Sequence, residues 1–101
     1  MQFACNMNAL TPAQRSLHNK LVELLRLRLS AQHDLTDGYE FEFPFDPEAY
    51  DALTLLTPLE HACCPFFTIN IRVEDHKLFW RLAGNEGVKQ FIRMEFAPWF
   101  Q

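Results

Sequence analysis

The sequence predicts an α+β fold, a two-layer sandwich in which helices cover one face of a four-stranded antiparallel sheet. Three segments place apolar residues at helical spacing behind helix-start signals, and two segments alternate apolar and polar residues around a short turn, as hairpins do. In chain order these segments give α-β-β-α-β-β-α, which is typical of α+β folds. Of the 101 residues, 49% are hydrophobic, so we predict a single domain, residues 1–101, with one core.

The first helix is predicted to begin after Thr11, because Thr11 can cap it, Pro12 suits the first helical position and Gln14 completes a capping box. Leucines then recur at helical spacing and form one apolar stripe over about four turns. We expect this stripe to face the core. Its members are Leu17, Leu21, Leu24 and Leu25, with the stem of Arg28 at its end.

The first hairpin is predicted around Asp37-Gly38, with two registers to choose between. A two-residue turn would place polar groups opposite aromatic ones, whereas a three-residue loop with Gly38 in the left-handed conformation would keep the faces separate. We favour the second register, which puts Glu40 and Glu42 outward and His33 on the apolar, aromatic face. Its expected pairs are Leu35–Tyr39, His33–Phe41 and Ala31–Phe43.

The second helix is predicted to begin at Asp46, which can cap it ahead of a proline. Pro58 then interrupts the pattern, because a proline inside a helix lacks the amide hydrogen that continues the hydrogen bonding. The stretch from Thr57 to Glu60 repeats the capping-box pattern. We therefore predict a broken helix, whose second part runs from Pro58 to about Cys63.

The second hairpin follows Pro65, where apolar and polar residues alternate up to a turn at 74–77 and again after it. Asn85 is predicted to cap a last helix, which Pro98 ends. The tail from Trp99 to Gln101 is expected to dock, since free aromatic residues there would expose apolar surface. The predicted inner positions are Phe67, Ile69, Ile71 and Val73, then Leu78, Trp80 and Leu82, then Val88, Phe91 and Ile92.

Charge and hydropathy exclude several classes of function. The formal net charge is -4 and the pI is about 5.4, so the chain lacks the basic surface that binds a phosphate backbone, and we expect no nucleic-acid partner. No apolar run reaches the roughly 20 residues that span a bilayer, and the N-terminus has no basic region ahead of an apolar one. We therefore predict a cytoplasmic protein without a membrane partner. The two hairpins could also build a sheet across two chains, so a homodimer stays open.

The adjacent cysteines Cys63 and Cys64 are the strongest chemical signal in the chain. Sulfur ligands are preferred by soft ions such as Zn(II), Cu(I) and Hg(II) and, by the same softness, trivalent arsenic. Glu60 precedes the pair by three and four residues, so its carboxylate could lie beside a sulfur on the same helix face. Cys63, Cys64 and Glu60 are therefore the candidate metal ligands, with His61 and His33 as further candidate donors.

The third cysteine, Cys5, lies near the N-terminus, where the sequence gives it no definite position. A cytoplasmic compartment keeps thiols reduced, so we expect no disulfide framework. A bond between the adjacent Cys63 and Cys64 would close a strained ring. Cys5 is thus a third thiol that could join a soft-ion site.

The predicted electrostatics argue against an activated nucleophile at the cysteine pair. The pair ends a helix, whose negative C-terminal potential raises a thiol pKa, and the carboxylate of Glu60 acts in the same direction. A thiol enzyme with His61 or His33 as its base is therefore less favoured, and we assign no catalytic residue. Pro65 restricts Cys64 to extended backbone, so the two adjacent side chains need not point the same way, and we expect the two sulfurs to differ in exposure.

Two stretches, EHACCPFF at 60–67 and GNEGVKQFI at 84–92, carry a resemblance. With the strand pair between them they resemble a group of small bacterial proteins of uncharacterised function. The recurring pattern of that group is E-x-x-C-C-P-F-h, a strand pair and G-x-x-G-h-x-x-F-h, where h is apolar, and a similar segment occurs in or near proteins of heavy-metal response. The pattern leaves out His61 and Cys5. It picks out Glu60, Cys63, Cys64, Pro65 and Phe66.

Three hypotheses about function follow. In the first, a small cytoplasmic protein binds a soft metal or metalloid ion, or senses thiol-reactive species, through Cys63 and Cys64 with Glu60 adjacent. In the second, the protein is a non-enzymatic interaction or dimerisation module whose cysteines are buried in the core. The third, a thiol-dependent enzyme, is the least favoured. Exposure of the sulfurs separates the first two, since a ligand must reach them.

Overall fold

The structure, a computed structural model, describes residues 4–100 and confirms the predicted fold class. The elements follow the predicted order, and short 3₁₀ helices at Met7–Ala9 and Ala97–Phe100 precede and follow them. Gln101, which the predicted docked tail includes, lies outside the described residues. The helices are α1 (Pro12–Arg28), α2 (Pro47–Cys63) and α3 (Val88–Glu95), and the strands are β1 (Ala31–Asp34), β2 (Gly38–Pro44), β3 (Thr68–Glu74) and β4 (Lys77–Ala83).

The four strands form one antiparallel sheet in the order β1-β2-β4-β3. Its outer face carries ion pairs, among them Arg72 Nη2 to Glu40 Oε1 at 3.0 Å and Lys77 Nζ to Glu42 Oε2 at 3.7 Å. Glu40 and Glu42 therefore lie outward, as predicted. The inner face of the two central strands is buried and consists of Tyr39, Phe41, Phe43, Leu78, Trp80 and Leu82.

The helix layer is built on α2, which packs against α1 and contacts β3. The capping box of α1 forms as predicted, because Thr11 Oγ1 accepts from the Gln14 N–H at 3.1 Å and Gln14 Oε1 accepts from the Thr11 N–H at 2.8 Å. Leu21 and Leu25 of the predicted stripe are buried and Leu24 is partly buried, whereas Leu17 is exposed, so the first turn of the stripe lies outside the core. Within residues 4–100, no helix combines the length and the apolar composition that crossing a membrane requires.

The predicted break at Pro58 is wrong, because α2 is one continuous helix. Thr57, which was expected to cap a new helix, donates its hydroxyl to the Leu53 carbonyl at 2.7 Å and accepts from Trp80 Nε1 at 3.0 Å. Burial of the apolar side of α2 on both sides of the proline keeps the helix in line despite the lost backbone bond. Glu60 is therefore an interior helix residue and does not belong to a capping box.

The register predicted for the first hairpin is also wrong. The structure pairs Gln32 with Phe41 and His33 with Glu40, one residue away from the favoured pairing. Because side chains alternate along a strand, this shift moves His33 from the apolar face to the outer face. There His33 Nε2 lies 2.9 Å from Glu42 Oε1.

Contacts with distant parts of the chain account for the observed register. Gln32 Nε2 donates to the Trp99 carbonyl, and Lys89 Nζ binds the Asp34 carboxylate, so the C-terminal part of the chain positions β1. Gly38 does not have the positive φ that was predicted for it. A Cβ at this position would lie 2.0 Å from a backbone oxygen of β4, so the glycine serves the close approach of two strands.

The predicted turn of the second hairpin forms, with Glu74 opposite Lys77. Asp75 and His76 between them have φ values of 52° and 60°, which is typical of a two-residue type I′ turn. At the start of α3 the predicted Asn85 cap is wrong. Gly87, with φ of 93°, occupies that position and no side chain caps the helix. The left-handed backbone there favours glycine.

The aromatic tail docks, as predicted for its described part. Trp99 is 1% exposed. Its ring centroid lies 5.0 Å from that of Phe41, 4.9 Å from that of Phe96 and 5.8 Å from that of Trp80. The tail thus closes the core beneath the central strands.

Trp99→Ala should lower the free energy of unfolding by about 4 kcal/mol, because it removes a buried indole and leaves a cavity. Met94→Ala is the matched control, since Met94 is 75% exposed, and it should change the free energy by less than about 0.5 kcal/mol. Urea unfolding followed by circular dichroism measures both. Equal losses in the free energy of unfolding for Trp99→Ala and Met94→Ala would contradict a docked tail.

Candidate functional site

The candidate site forms where α2 ends. The buried side of α2 runs through Leu53, Leu56, Glu60 and Cys63, at intervals of three and four residues, so Glu60 faces the same way as the leucines. The helix ends at Cys63, as predicted. The Cys64 N–H still donates to the Glu60 carbonyl at 2.8 Å, but the Cys64 backbone has left the helix, with φ of -128° and ψ of 69°.

The N-terminal segment, residues 4–10, brings the third cysteine to this helix end. The Asn6 N–H donates to the Cys63 carbonyl at 2.7 Å. Arg15 Nη1 donates to the carbonyl of Leu10, the last residue of the segment, at 3.0 Å. Cys5 is joined to Cys64 by a disulfide bond, with Cα atoms 4.8 Å apart, a distance ordinary for disulfides. The expectation of three reduced cysteines is thereby corrected, because the backbone contacts of the segment bring two distant cysteines together.

Three sulfurs and one carboxylate converge at this point. The donor atoms of Cys5, Glu60, Cys63 and Cys64 all lie within 4.8 Å of one another. Cys63 Sγ is 3.7 Å from Cys64 Sγ, and Cys64 Sγ lies 3.5 Å from Glu60 Oε1. Both sulfurs are buried and adjacent, so the expectation that they differ in exposure is wrong. Glu60, Cys63 and Cys64 are at most 1% exposed, whereas Cys5 is half-buried.

Glu60 is held by His18, a residue that we did not single out from the sequence. His18 Nε2 on α1 lies 2.7 Å from Glu60 Oε2, while the other carboxylate oxygen faces Cys64. A signal for this role was present in the sequence. His18 precedes Leu21 and Leu25 by three and seven residues, so it extends the buried stripe of α1.

The buried carboxylate shapes the electrostatics of the site. Burial, and then the charge of Glu60, raises the pKa of the Cys63 thiol to about 11. The hydrogen bond to Glu60 raises the pKa of His18 above its usual 6.5. Burial, and then the charge of Glu60, also raises the pKa of Glu95 on α3. Cys63 is therefore protonated at neutral pH, which agrees with the prediction that this helix end does not activate a nucleophile.

The two histidines considered as donors lie elsewhere. His61 is exposed on α2, and His33 pairs with Glu42 on the outer face of the sheet. Neither histidine belongs to the group of converging donors. The histidine that matters to this site is His18, which acts through Glu60.

The arrangement has two chemically different states. Reduction of Cys5 and Cys64 would provide three thiols beside one carboxylate, which is the donor number of a closed four-coordinate site. With the disulfide formed, Cys63 is the free thiol that remains among the described residues. His18 orients the carboxylate as partners of metal ligands commonly do. The redox state of Cys5 and Cys64 thus determines how many thiols the cluster offers.

No protein-family model, curated protein or solved structure matches the chain. A proposal about function therefore depends on the geometry and chemistry of the cluster formed by Cys5, Glu60, Cys63 and Cys64.

His18→Ala should lower the free energy of unfolding by about 3 kcal/mol, because it leaves a buried carboxylate without its partner. The pKa of His18 is raised in the folded protein, so its contribution is full below pH 6.5 and is lost as the pH rises through the raised pKa. The difference in the free energy of unfolding between the wild type and His18→Ala should therefore become smaller with increasing pH. Urea unfolding at several pH values measures it.

The matched control for that variant is His61→Ala, which removes an exposed histidine from the helix that carries Glu60. It should change the free energy of unfolding by less than about 0.5 kcal/mol. An equal loss in both variants, or a difference that widens with increasing pH, would contradict the ion pair.

Cys63 in the disulfide form should react slowly with iodoacetamide, because its pKa is raised to about 11. At about pH 8 its thiolate fraction is roughly 200-fold below that of an ordinary thiol, whose pKa is about 8.5. The rate should rise with pH until about 11. Intact-mass measurement follows the labelling, with urea-unfolded protein as the control. A native rate equal to the unfolded rate would restore the thiol-enzyme hypothesis.

Proposed function

We propose that the reduced protein binds a soft metal or metalloid ion through Cys63 and Cys64, with Glu60 beside them. The observation that supports this proposal is the convergence of sulfur and carboxylate donors within 4.8 Å in the protein interior. Cysteines that only fill a core contact apolar atoms, whereas Cys64 Sγ here lies 3.5 Å from a carboxylate oxygen. Burying a carboxylate is costly, which distinguishes this helix end from a purely apolar core.

The burial of Cys63 and Cys64 leaves a route to the site through the N-terminal segment. This segment, residues 4–10, covers the helix end and is mostly exposed, with Leu10 as its buried member. Reduction of the Cys5–Cys64 disulfide removes its covalent link to α2. Segments with few buried contacts open at low free energy, so an ion could enter when this one lifts.

The setting we propose is the bacterial cytoplasm. A reducing compartment would keep Cys5 and Cys64 as thiols and the site ready to bind. The resemblance of the E-x-x-C-C-P-F stretch to small bacterial proteins, and to segments in or near proteins of heavy-metal response, supports the same setting. The net charge of -4 supports a protein without a nucleic-acid partner.

Sensing of thiol-reactive species is a second form of this proposal. It is favoured by the Cys5–Cys64 disulfide, since a disulfide is itself a product of thiol oxidation. Cys5, the most accessible of the three cysteines, would react first with an incoming oxidant or electrophile. An oxidant would convert the Cys5 thiol to a sulfenic acid, and the thiol of Cys64 would displace water from it to form the disulfide. An electrophile would instead stay bound to Cys5.

A second candidate is a non-enzymatic interaction or dimerisation module, favoured by the complete burial of Cys63 and Cys64. In that case the two cysteines fill space in the core. β3 is an edge strand of the sheet, and Val73 on it is 51% exposed. An edge of this kind can add a strand from a second copy and so form a homodimer.

Native mass spectrometry of the reduced protein, titrated separately with Zn(II), Hg(II) and arsenite, tests the proposal. We expect the wild type to retain one ion per chain and the double variant Cys63→Ser/Cys64→Ser to retain none. Ala62→Ser is the matched control, because it places the same new side chain at the adjacent exposed position, and it should bind as the wild type does.

Equal ion retention by the wild type and the double variant would contradict ion binding and leave the interaction module. The same spectra give the mass of the ion-free assembly. A mass of two chains supports the homodimer, and a mass of one chain contradicts it.

A further inference from the structure

We infer that Cys5 is the third sulfur ligand of this site and that the three thiolates select a trivalent metalloid, arsenous acid or a heavier analogue, over a divalent cation. This inference rests on the proposed function and narrows its class of ligand. The sequence pattern that marks the site does not include Cys5. The structure nevertheless places its sulfur within 4.8 Å of the donor atoms of Cys63, Cys64 and Glu60.

The fold holds Cys5 at the site by contacts that do not require the disulfide. The next residue, Asn6, donates its N–H to the Cys63 carbonyl at 2.7 Å. Arg15 Nη1 donates to the Leu10 carbonyl at 3.0 Å, and Leu10 is 3% exposed within the core. These contacts do not involve the disulfide, so after reduction they would return the thiol of Cys5 to the other two each time the segment closes over a bound ion.

The net charge of the thiolate complex differs between a divalent cation and a trivalent metalloid. With the Glu60 carboxylate counted in both cases, a divalent cation bound by three thiolates leaves two excess negative charges in the cluster. Trivalent arsenic bound by three thiolates is itself neutral and leaves only the charge of Glu60. Excess charge is costly in the interior, and three of the four donor residues are at most 1% exposed. The cationic partner at the cluster, His18, is already paired with Glu60 at 2.7 Å. The neutral complex therefore fits this interior better.

Binding of arsenous acid is a condensation without electron transfer. Each of three thiols gives its proton to one hydroxyl of As(OH)₃, three As–S bonds form, three As–O bonds break and three waters leave. Trivalent arsenic keeps its lone pair and takes three ligands, so Glu60 stays with His18. The Cys5–Cys64 bond must first be reduced, by a dithiol that itself becomes a disulfide or by a phosphine in vitro.

The test is the intact mass of phosphine-reduced protein titrated with arsenite. The wild type should gain one arsenic atom and lose three hydrogens. Cys5→Ser should gain an arsenic that keeps one hydroxyl and lose two hydrogens, with arsenite affinity lowered about 100-fold, since the third intramolecular thiol is gone. Ala4→Ser, which places the same side chain at the preceding exposed position, should behave as the wild type.

X-ray absorption at the arsenic edge of the wild-type complex tests the ligand set without any variant. Three sulfur neighbours and no oxygen support the inference. An oxygen neighbour, or unchanged affinity in Cys5→Ser, overturns the role of Cys5. Tighter retention of Zn(II) than of arsenite in competition overturns the class of ligand but leaves ion binding intact, whereas retention of neither ion overturns both proposals.

Discussion

The buried carboxylate of Glu60 is the constraint on which the candidate site depends. A carboxylate that is 1% exposed must find partners inside the protein, because burying an unpaired charge is costly. One of its oxygens contacts His18 Nε2 on α1, and the other faces Cys64 at the end of α2. The two helices are thus positioned by a polar contact as well as by leucine packing. Since a buried ion pair rarely stabilises a fold more than apolar residues of the same size would, we interpret this pair as a feature kept for function.

The aromatic core sets the position of that carboxylate. Trp80 on β4 donates to Thr57 Oγ1 in the middle of α2, one residue before the proline that weakens the helix. The contact ties the helix to the sheet where its backbone hydrogen bonding is interrupted. Because α2 continues past Pro58, Glu60 and Cys63 stay in phase with the leucines and face the core. A helix restarted at Pro58 would have lost that phase and turned the carboxylate elsewhere.

Local patterns in the sequence predicted the order of the elements, since helix and strand periods, capping boxes and turn residues act over a few neighbouring positions. The register of β1 was not predictable in this way, because contacts from the C-terminal tail and α3 determine it. The residues of the site also divide into those that are close in the sequence and those that only the fold brings together. Glu60, Cys63 and Cys64 stand close together in the sequence, whereas Cys5 is 59 residues from its disulfide partner and His18 is 42 residues from Glu60. Only the packing of the N-terminal segment and α1 against α2 joins these parts.

Under the proposed function, a bound ion and the disulfide would compete for the sulfurs of Cys5 and Cys64, so that ion binding would oppose oxidation and oxidation would oppose ion binding. An ion that binds only the reduced protein stabilises it by about 2.7 kcal/mol when its concentration is 100 times its dissociation constant. For a two-electron couple this corresponds to a reduction potential about 60 mV higher, which makes Cys5 and Cys64 harder to oxidise. Conversely, an oxidising environment closes the bond and expels the ion. One cluster would therefore respond both to a soft ion and to thiol oxidants, and the two forms of the proposal describe two inputs to the same equilibrium.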